Sequence, residues 1–164
     1  MLSKIDLAKG FHQVEVSESD RMKTAFICPF GKYQYRRMPF GLTNAPAIFQ
    51  KLMDLVLVNC DEFAKVYIDD ILVVSGSWEV HLRHLRCVLE ALRVAGLTAK
   101  GSKCAFGRRK LEFLGHVIGD GVVAVLEVRV QAIRDHPVPV TRWQLWKFLG
   151  LVGFYRRFVV GTYR

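Results

Sequence analysis

Three carboxylates carry the chemistry that this sequence can offer: Asp6, in the segment KIDL, and the adjacent pair Asp69-Asp70, in FAKVYIDDILVVS. Two like charges side by side at a partly desolvated turn repel each other, so the pair calls for a counter-charge. A hard divalent cation such as Mg²⁺ takes oxygen ligands, and Asp6 brought in from a neighbouring strand would complete enough negative charge for two ions. Taken alone, Asp69-Asp70 has a simpler reading, because aspartate is a common turn former.

The elements that must position these groups are legible from periodicity. FAKVYIDDILVVS sets the acidic pair between two apolar runs, as a strand, a tight turn and a returning strand would. KIDL and FHQVEV alternate apolar and polar residues, which predicts two short strands about a turn at Lys9-Gly10 and puts Asp6 at a strand end. Thr24 to Met38 is rich in aromatic and β-branched residues and is broken by Pro29 and Gly31, the pattern of a hairpin. Thr43 or Asn44 can cap a helix beginning near Pro46, with Phe49, Met53 and Val56 on its inner face. Trp78 to Ala95 repeats Val80, Leu82, Leu85, Val88, Leu89 and Leu92 at helical spacing and stops at Gly96, predicting a long helix beneath the acidic hairpin with basic residues outside. Short strands return from Leu97 to Ile118. Two helical stretches follow, about Val128 to Arg134 and Arg142 to Phe158, separated by HPVPV.

The chain has 164 residues, 51% of them hydrophobic, enough for a real core. Its 24 Lys and Arg against 15 Asp and Glu, net +9, favour a polyanionic partner such as nucleic acid or an anionic membrane, with a merely basic surface as the plain alternative. No apolar run is long enough to cross a bilayer and Met1-Leu2-Ser3-Lys4 lacks signal-peptide features, so no membrane partner is expected. Cys28, Cys60, Cys87 and Cys104 are widely spaced without a zinc pattern, which fits reduced thiols in an intracellular protein.

Several motifs in order resemble one family. YIDD at Tyr67 to Asp70, KIDLAKGFHQVEV at Lys4 to Val16, RMPFGLTNAPAIFQ at Arg37 to Gln50, LEFLGHVIGDGV at Leu111 to Val122 and AIRDHPVPVTRWQLWKFLGLVGFYRRFV at Ala132 to Val159 are similar to the reverse transcriptase of gypsy-type long-terminal-repeat retrotransposons. The resemblance implies an α+β polymerase palm, an antiparallel sheet packed on two long helices, over residues 1–122. The start of a helical thumb and connection follows over residues 123–164, with the fingers largely missing; from the residues themselves, Pro137 and Pro139 mark the candidate boundary between a main domain and a helical appendage. It implies two Mg²⁺ ions, or Mn²⁺, held by Asp6, Asp69 and Asp70, and transfer of deoxynucleotides from dNTPs onto a primer 3′-hydroxyl along an RNA or DNA template.

The same resemblance assigns Leu7, Ala8, Lys9 and Gly10 to the turn along the triphosphate and Phe11 to the ring beneath the incoming sugar, where it would exclude a ribose 2′-hydroxyl. Pro39, Phe40 and Gly41 match the loop beside the nucleotide, Gln50 the helix near the template, and Leu114 and Gly115 the hairpin that grips the primer end. Lys103 matches a lysine proposed to protonate pyrophosphate. Plainer roles stand beside these: Phe11 as core filler, Pro39 to Gly41 as a turn into a helix, Lys103 as a solvated loop residue. Basic clusters at Arg83/Arg86/Arg93, Arg108 to Lys110 and Arg156-Arg157 can follow a duplex backbone or simply solvate a surface.

The family's triphosphate-clamping basic residues lie upstream of Asp6, and an RNase H domain usually follows, so the sequence reads as a piece of a polyprotein that also carries protease and integrase. VVAVLEVRVQ at Val122 to Gln131 is less polar than the family pattern. A non-catalytic nucleic-acid-binding remnant is the alternative. A nucleotide cyclase would need a glycine-rich signature that is not found.

Overall fold

The computed structural model describes residues 1–158. Contacts divide the chain into two compact units, Met1–Arg108 and Arg109–Arg164. In the first, β1 (Leu2–Asp6), β4 (Ala64–Tyr67), β5 (Asp70–Val74) and β6 (Ala105–Arg108) form an antiparallel sheet in the order β4-β5-β1-β6. The register pairs Ser3 with Val73, Ile5 with Ile71 and Asp6 with Asp70. Because side chains alternate along a strand, Ile5, Ile71 and Val73 share one face. There they are buried with Phe49 and Met53 of α2 (Ala45–Val56) and Leu85, Val88 and Leu92 of α3 (Trp78–Val94). Lys4, Asp6 and Asp70 fall on the opposite face. This is the expected α+β arrangement, carboxylates on one side of the sheet and two long helices on the other. Phe49 is fully buried, and truncating such a ring to alanine costs about 3–5 kcal/mol.

Several expectations change on inspection. FHQVEV does not form a second strand. Gly10–Gln13 is a 3₁₀ turn, and beyond it the Val14 carbonyl accepts the Met38 N–H and the Val16 N–H donates to the Arg36 carbonyl, leaving Glu15 opposite Arg37 as an isolated bridge. The alternation is real but is spent on this bridge and on packing Phe11 and Val14 against the core. Asn44 occupies the N-cap of α2 without a side-chain capping bond, and the proline in the first turn, whose φ is already helical, starts the helix instead. The anticipated hairpin is present as β2 (Phe26–Cys28) and β3 (Gly31–Tyr33), after a short α1 (Glu18–Arg21).

On α3, Ser77 caps the first turn and the buried stripe is His81, Leu85, Val88 and Leu92, while Leu82 and Leu89 stand exposed. Apolar type alone misplaced those two, because the stripe is completed by a polar residue. His81 is buried by hydrogen bonds: its Nε2 lies 2.7 Å from Ser3 Oγ and its Nδ1 2.8 Å from Ser75 Oγ, which in turn lies 2.8 Å from His84 Nδ1. Ser3 Oγ also accepts the Gly107 N–H at 3.0 Å. One neutral tautomer satisfies every member, Ser3 donating to Nε2 and Nδ1–H donating to Ser75, and the network ties β1, β5, β6 and α3 together.

The second unit holds β7 (Lys110–Phe113), β8 (His116–Gly119) and β9 (Val122–Val125), a three-stranded antiparallel sheet in sequence order, then α4 (Glu127–Arg134) and α5 (Arg142–Tyr155). β9 was not foreseen, although its run of valine and alanine beside the Asp120-Gly121 turn has strand character. A capping box between Thr141 and Gln144 starts α5, which ends at Tyr155 with a 3₁₀ turn to Phe158 rather than a continuous helix. Val159, the last residue of the family-like motif, lies outside the described residues, as does the Arg157 side chain. Among the described residues no helix is long and apolar enough to cross a membrane.

Burial, with the amino terminus and His84 adding to it, lowers the His81 pKa below its ordinary value. An unfolded histidine near pH 6.5 therefore takes up a proton that the folded one refuses, and stability present above that pH declines as pH falls below it. In urea titrations the native chain is expected to lose more stability between about pH 7.5 and pH 5.5 than His81→Asn does; equal losses would exclude His81 as the source.

Candidate active site

The site is built where β1 ends and the β4–β5 hairpin turns. Tyr67 pairs with Asp70, leaving Ile68 and Asp69 as a two-residue loop. Ile68 sits at φ 55°, a left-handed conformation that a β-branched residue adopts only under constraint. Two bonds supply that constraint. The Asp69 carbonyl accepts the Leu7 N–H at 3.0 Å, and the Ile68 N–H donates to Gln50 Oε1 at 2.7 Å. The Gln50 amide nitrogen donates to the Val66 carbonyl and to Asp54. The Gln50 bonds to Val66 and Ile68 clamp the acidic hairpin to α2, and the Leu7 bond ties it to the end of β1, so Gln50 supports the turn from behind.

A cleft of about 680 Å³ opens at this corner, lined by Asp6, Leu7, Ala8, Lys9, Gly10, Phe11, Phe40, Ile68, Asp69, Ala99, Lys100 and Lys103. Asp6 and Asp69, far apart in sequence, thus share one cavity. Gly10 allows the approach: a Cβ there would lie 3.2 Å from the Asp69 Cβ and 3.0 Å from the Phe49 ring. Lys9, at φ 52°, turns the loop over. Gln13, which sequence reasoning missed, staples this loop, its Nε2 donating to the Ala8 and Thr98 carbonyls and its Oε1 accepting the Thr98 N–H. The only sequence signal for it was a polar residue in an apolar alternation.

Phe11 packs its ring 5.6 Å from both Phe40 and Phe49, so it is partly core filler and partly cleft wall. Phe40 stands largely exposed at the cleft rim. Gly41 and Gln50, expected beside the substrate, are not among the lining residues. Leu114 and Gly115 belong to the second unit, where φ values of 49° and 77° make them the tight turn between β7 and β8.

Charge is balanced by lysines. Asp6, 8% exposed, lies 3.4 Å from Lys103 Nζ, and Asp70 makes a 3.0 Å ion pair with Lys4 on the same face of the sheet. Among the described residues no three carboxylate, histidine or cysteine groups gather closely enough to hold a metal ion. Asp6 and Asp69 line the same cleft, while Asp70 is paired with Lys4, its diagonal neighbour across the ladder. Asp6 and Asp69 still fit a hard cation, which is satisfied by two carboxylates with water and phosphate oxygens for the rest. Lys100, also unanticipated, lines the cleft and fastens it through its N–H on the Asp6 carbonyl at 2.7 Å.

A polymerase palm is the class of protein that a β-strand carboxylate, an acidic hairpin tip and a glycine-opened cleft define. The family model for reverse transcriptase (RNA-dependent DNA polymerase) matches residues 1–118, and the chain belongs to that family. It is 42% identical over 156 residues to the retrovirus-related Pol polyprotein from transposon 297 and 38% identical to that from transposon gypsy, both of Drosophila melanogaster, in each case over 94% of this chain. The Tf2-3 transposon polyprotein of Schizosaccharomyces pombe is 33% identical over 99% of it. The chain spans about 15% of the length of the Drosophila relatives. Among solved structures, a foamy viral protease-reverse transcriptase in complex with double-stranded DNA superimposes with a TM-score of 0.91 at 30% identity, covering 98% of this chain and 28% of that one. Another, in complex with an RNA/DNA hybrid, gives 0.83 at 30% identity, covering 94% of this chain and 21% of that one.

Replacing Gln50 with leucine leaves the Ile68 N–H without its acceptor and the Val66 carbonyl without its donor, at a cost of about 1 kcal/mol for each of these part-buried groups. Gln50→Leu is expected to lower the thermal midpoint and to speed amide exchange at Ile68 by about tenfold or more; unchanged exchange there would remove Gln50 from the support of the hairpin.

Proposed function

We propose that this chain is the catalytic palm segment of an RNA-directed DNA polymerase, adding deoxynucleotides to a primer 3′-hydroxyl. The observation that carries this reading is that Asp6 and Asp69 line one cleft together with the Leu7–Phe11 loop. Two carboxylates so placed would hold a divalent ion, Mg²⁺ or Mn²⁺, which when bound supplies charge stabilisation for phosphoryl transfer. Asp70, one residue on and paired with Lys4, is the reserve ligand for a second ion.

The protein groups have separate tasks. The Leu7–Gly10 backbone, opened by Gly10, admits phosphate oxygens against main-chain N–H groups. Phe11, braced by Phe49, presents a ring edge to a sugar and selects against a 2′-hydroxyl by bulk. Lys100 and Lys103 offset phosphate charge, and Lys103 is placed near Asp6 to hand a proton to the leaving pyrophosphate. Leu114 and Gly115, in a tight exposed turn, would meet the primer strand by backbone rather than by base contact. Residues 1–122 as palm and 123–164 as the start of thumb and connection is the functional division supported by a family match ending at residue 118. The template is an RNA or DNA strand, and the net charge of +9 suits it. In the parent polyprotein, protease, RNase H and integrase accompany this segment.

The test is extension of a primed RNA template with Mg²⁺, by this chain and by a longer polyprotein segment containing it. Extension that Asp69→Asn reduces by about 100-fold or more supports the reading. Salt-sensitive nucleic-acid binding with no extension by either protein, unaltered by Asp69→Asn, supports the non-catalytic remnant instead. Independently of turnover, Mn²⁺ is expected to broaden the backbone NMR signals of Asp6 and Asp69 in the native chain and not in the variant.

A further inference from the structure

Two thiols far from the cleft meet. Cys60 Sγ lies 3.1 Å from Cys87 Sγ. Cys60 closes the 3₁₀ turn Val58–Cys60 that follows α2 and belongs to the hydrophobic core, whereas Cys87, on α3, is exposed. Cys104, by contrast, directs its sulfur to the Lys100 carbonyl. The pair therefore combines an accessible thiol with a sheltered one already at contact, which is the arrangement of an attacking and a resolving cysteine.

We propose that Cys60 and Cys87 form a covalent modification site, an oxidisable dithiol that closes to an intrachain disulfide when it meets a disulfide oxidant such as oxidised glutathione. The Cys87 thiolate attacks one sulfur of the oxidant, the oxidant's S–S bond breaks, and one glutathione leaves as thiolate. Cys60 then gives its proton to solvent and attacks Cys87 Sγ, expelling the second glutathione. Two protein thiols have lost two electrons and two protons, and one glutathione disulfide has become two thiols.

The order of events follows from the surroundings. Burial, the larger cause, and the neighbouring Cys87 push the Cys60 thiol up to about 12, so the exposed Cys87 is the thiol that meets the oxidant first and Cys60, already in contact with it, resolves the mixed disulfide. The closed bond joins residues 27 apart and encloses β4, the Ile68-Asp69 turn, β5 and the first half of α3. It would fasten the base of the acidic hairpin to the helix beneath it, without touching the cleft.

The experiment exposes the purified chain to oxidised glutathione, quenches it with N-ethylmaleimide under denaturing conditions, and maps the digested peptides by mass spectrometry. The expected product is a Cys60–Cys87 linked peptide, lighter than its two parts by two hydrogen atoms, with Cys28 and Cys104 alkylated. From loop closure the oxidised chain should melt about 10 °C higher, a shift reversed by dithiothreitol and absent in Cys87→Ser. Alkylation of both Cys60 and Cys87, a mixed disulfide at Cys87 that never resolves, or links scattered among all four cysteines would overturn the proposal. The mapping needs no variant, and its outcome is independent of whether the chain polymerises nucleotides.

Discussion

The first unit rests on one electrostatic constraint, the register that sets Asp6 directly opposite Asp70 across β1 and β5. Side chains facing each other in this way lie about 5 Å apart, and two unit charges at that distance repel by about 3 kcal/mol at an effective dielectric of about 20. Two lysines answer that repulsion. Lys4, from the same face of β1, takes Asp70, and Lys103, from the loop before β6, takes Asp6. The lysines keep the hairpin in register while leaving Asp69, on the loop itself, to face the cleft. A cation placed between Asp6 and Asp69 would then compete with Lys103 for Asp6 and leave the Asp70 pair in place.

Holding the turn is a separate problem from neutralising it, and two glutamines solve it from opposite sides. Gln50 grips the hairpin tip from α2, and Gln13 grips the Leu7–Phe11 loop from the 3₁₀ turn. Each uses both ends of its amide on main-chain groups, so each fixes a backbone path without presenting anything to the cavity. Paired side-chain bonds to the main chain of this kind hold the backbone at two points at once, which is how a flexible-looking loop can be kept at a strained φ.

Most of this architecture was legible because it depends on patterns with a clear period. The two apolar runs flanking Asp69-Asp70, the stripe of Phe49, Met53 and Val56, and the Pro29–Gly31 break each map onto an element in the expected place. What escaped notice did so for physical reasons. FHQVEV alternates like a strand, but a left-handed Lys9 and a 3₁₀ turn consume its first half, and a backbone angle has no apolar signature. His81 completes a buried stripe with hydrogen bonds to Ser3 and Ser75, partners 78 and 6 residues away that no local pattern can supply. Lys4 looked like an ordinary polar position on an alternating strand until the register placed Asp70 beside it. The bond from Ile68 to Gln50 joins residues 18 apart, so no local pattern could show that Gln50 holds the hairpin.

Phe49 joins these layers. Its ring lies against Ile5, Met53 and the rest of the interior, yet it also touches Gly10 and Phe11, so the cleft has no floor of its own distinct from the hydrophobic interior. Warming that loosens the aliphatic packing must therefore blur the cleft wall at the same moment. Ligand affinity and global cooperativity should fade along a single curve, leaving no temperature window in which a well-folded scaffold carries a melted pocket.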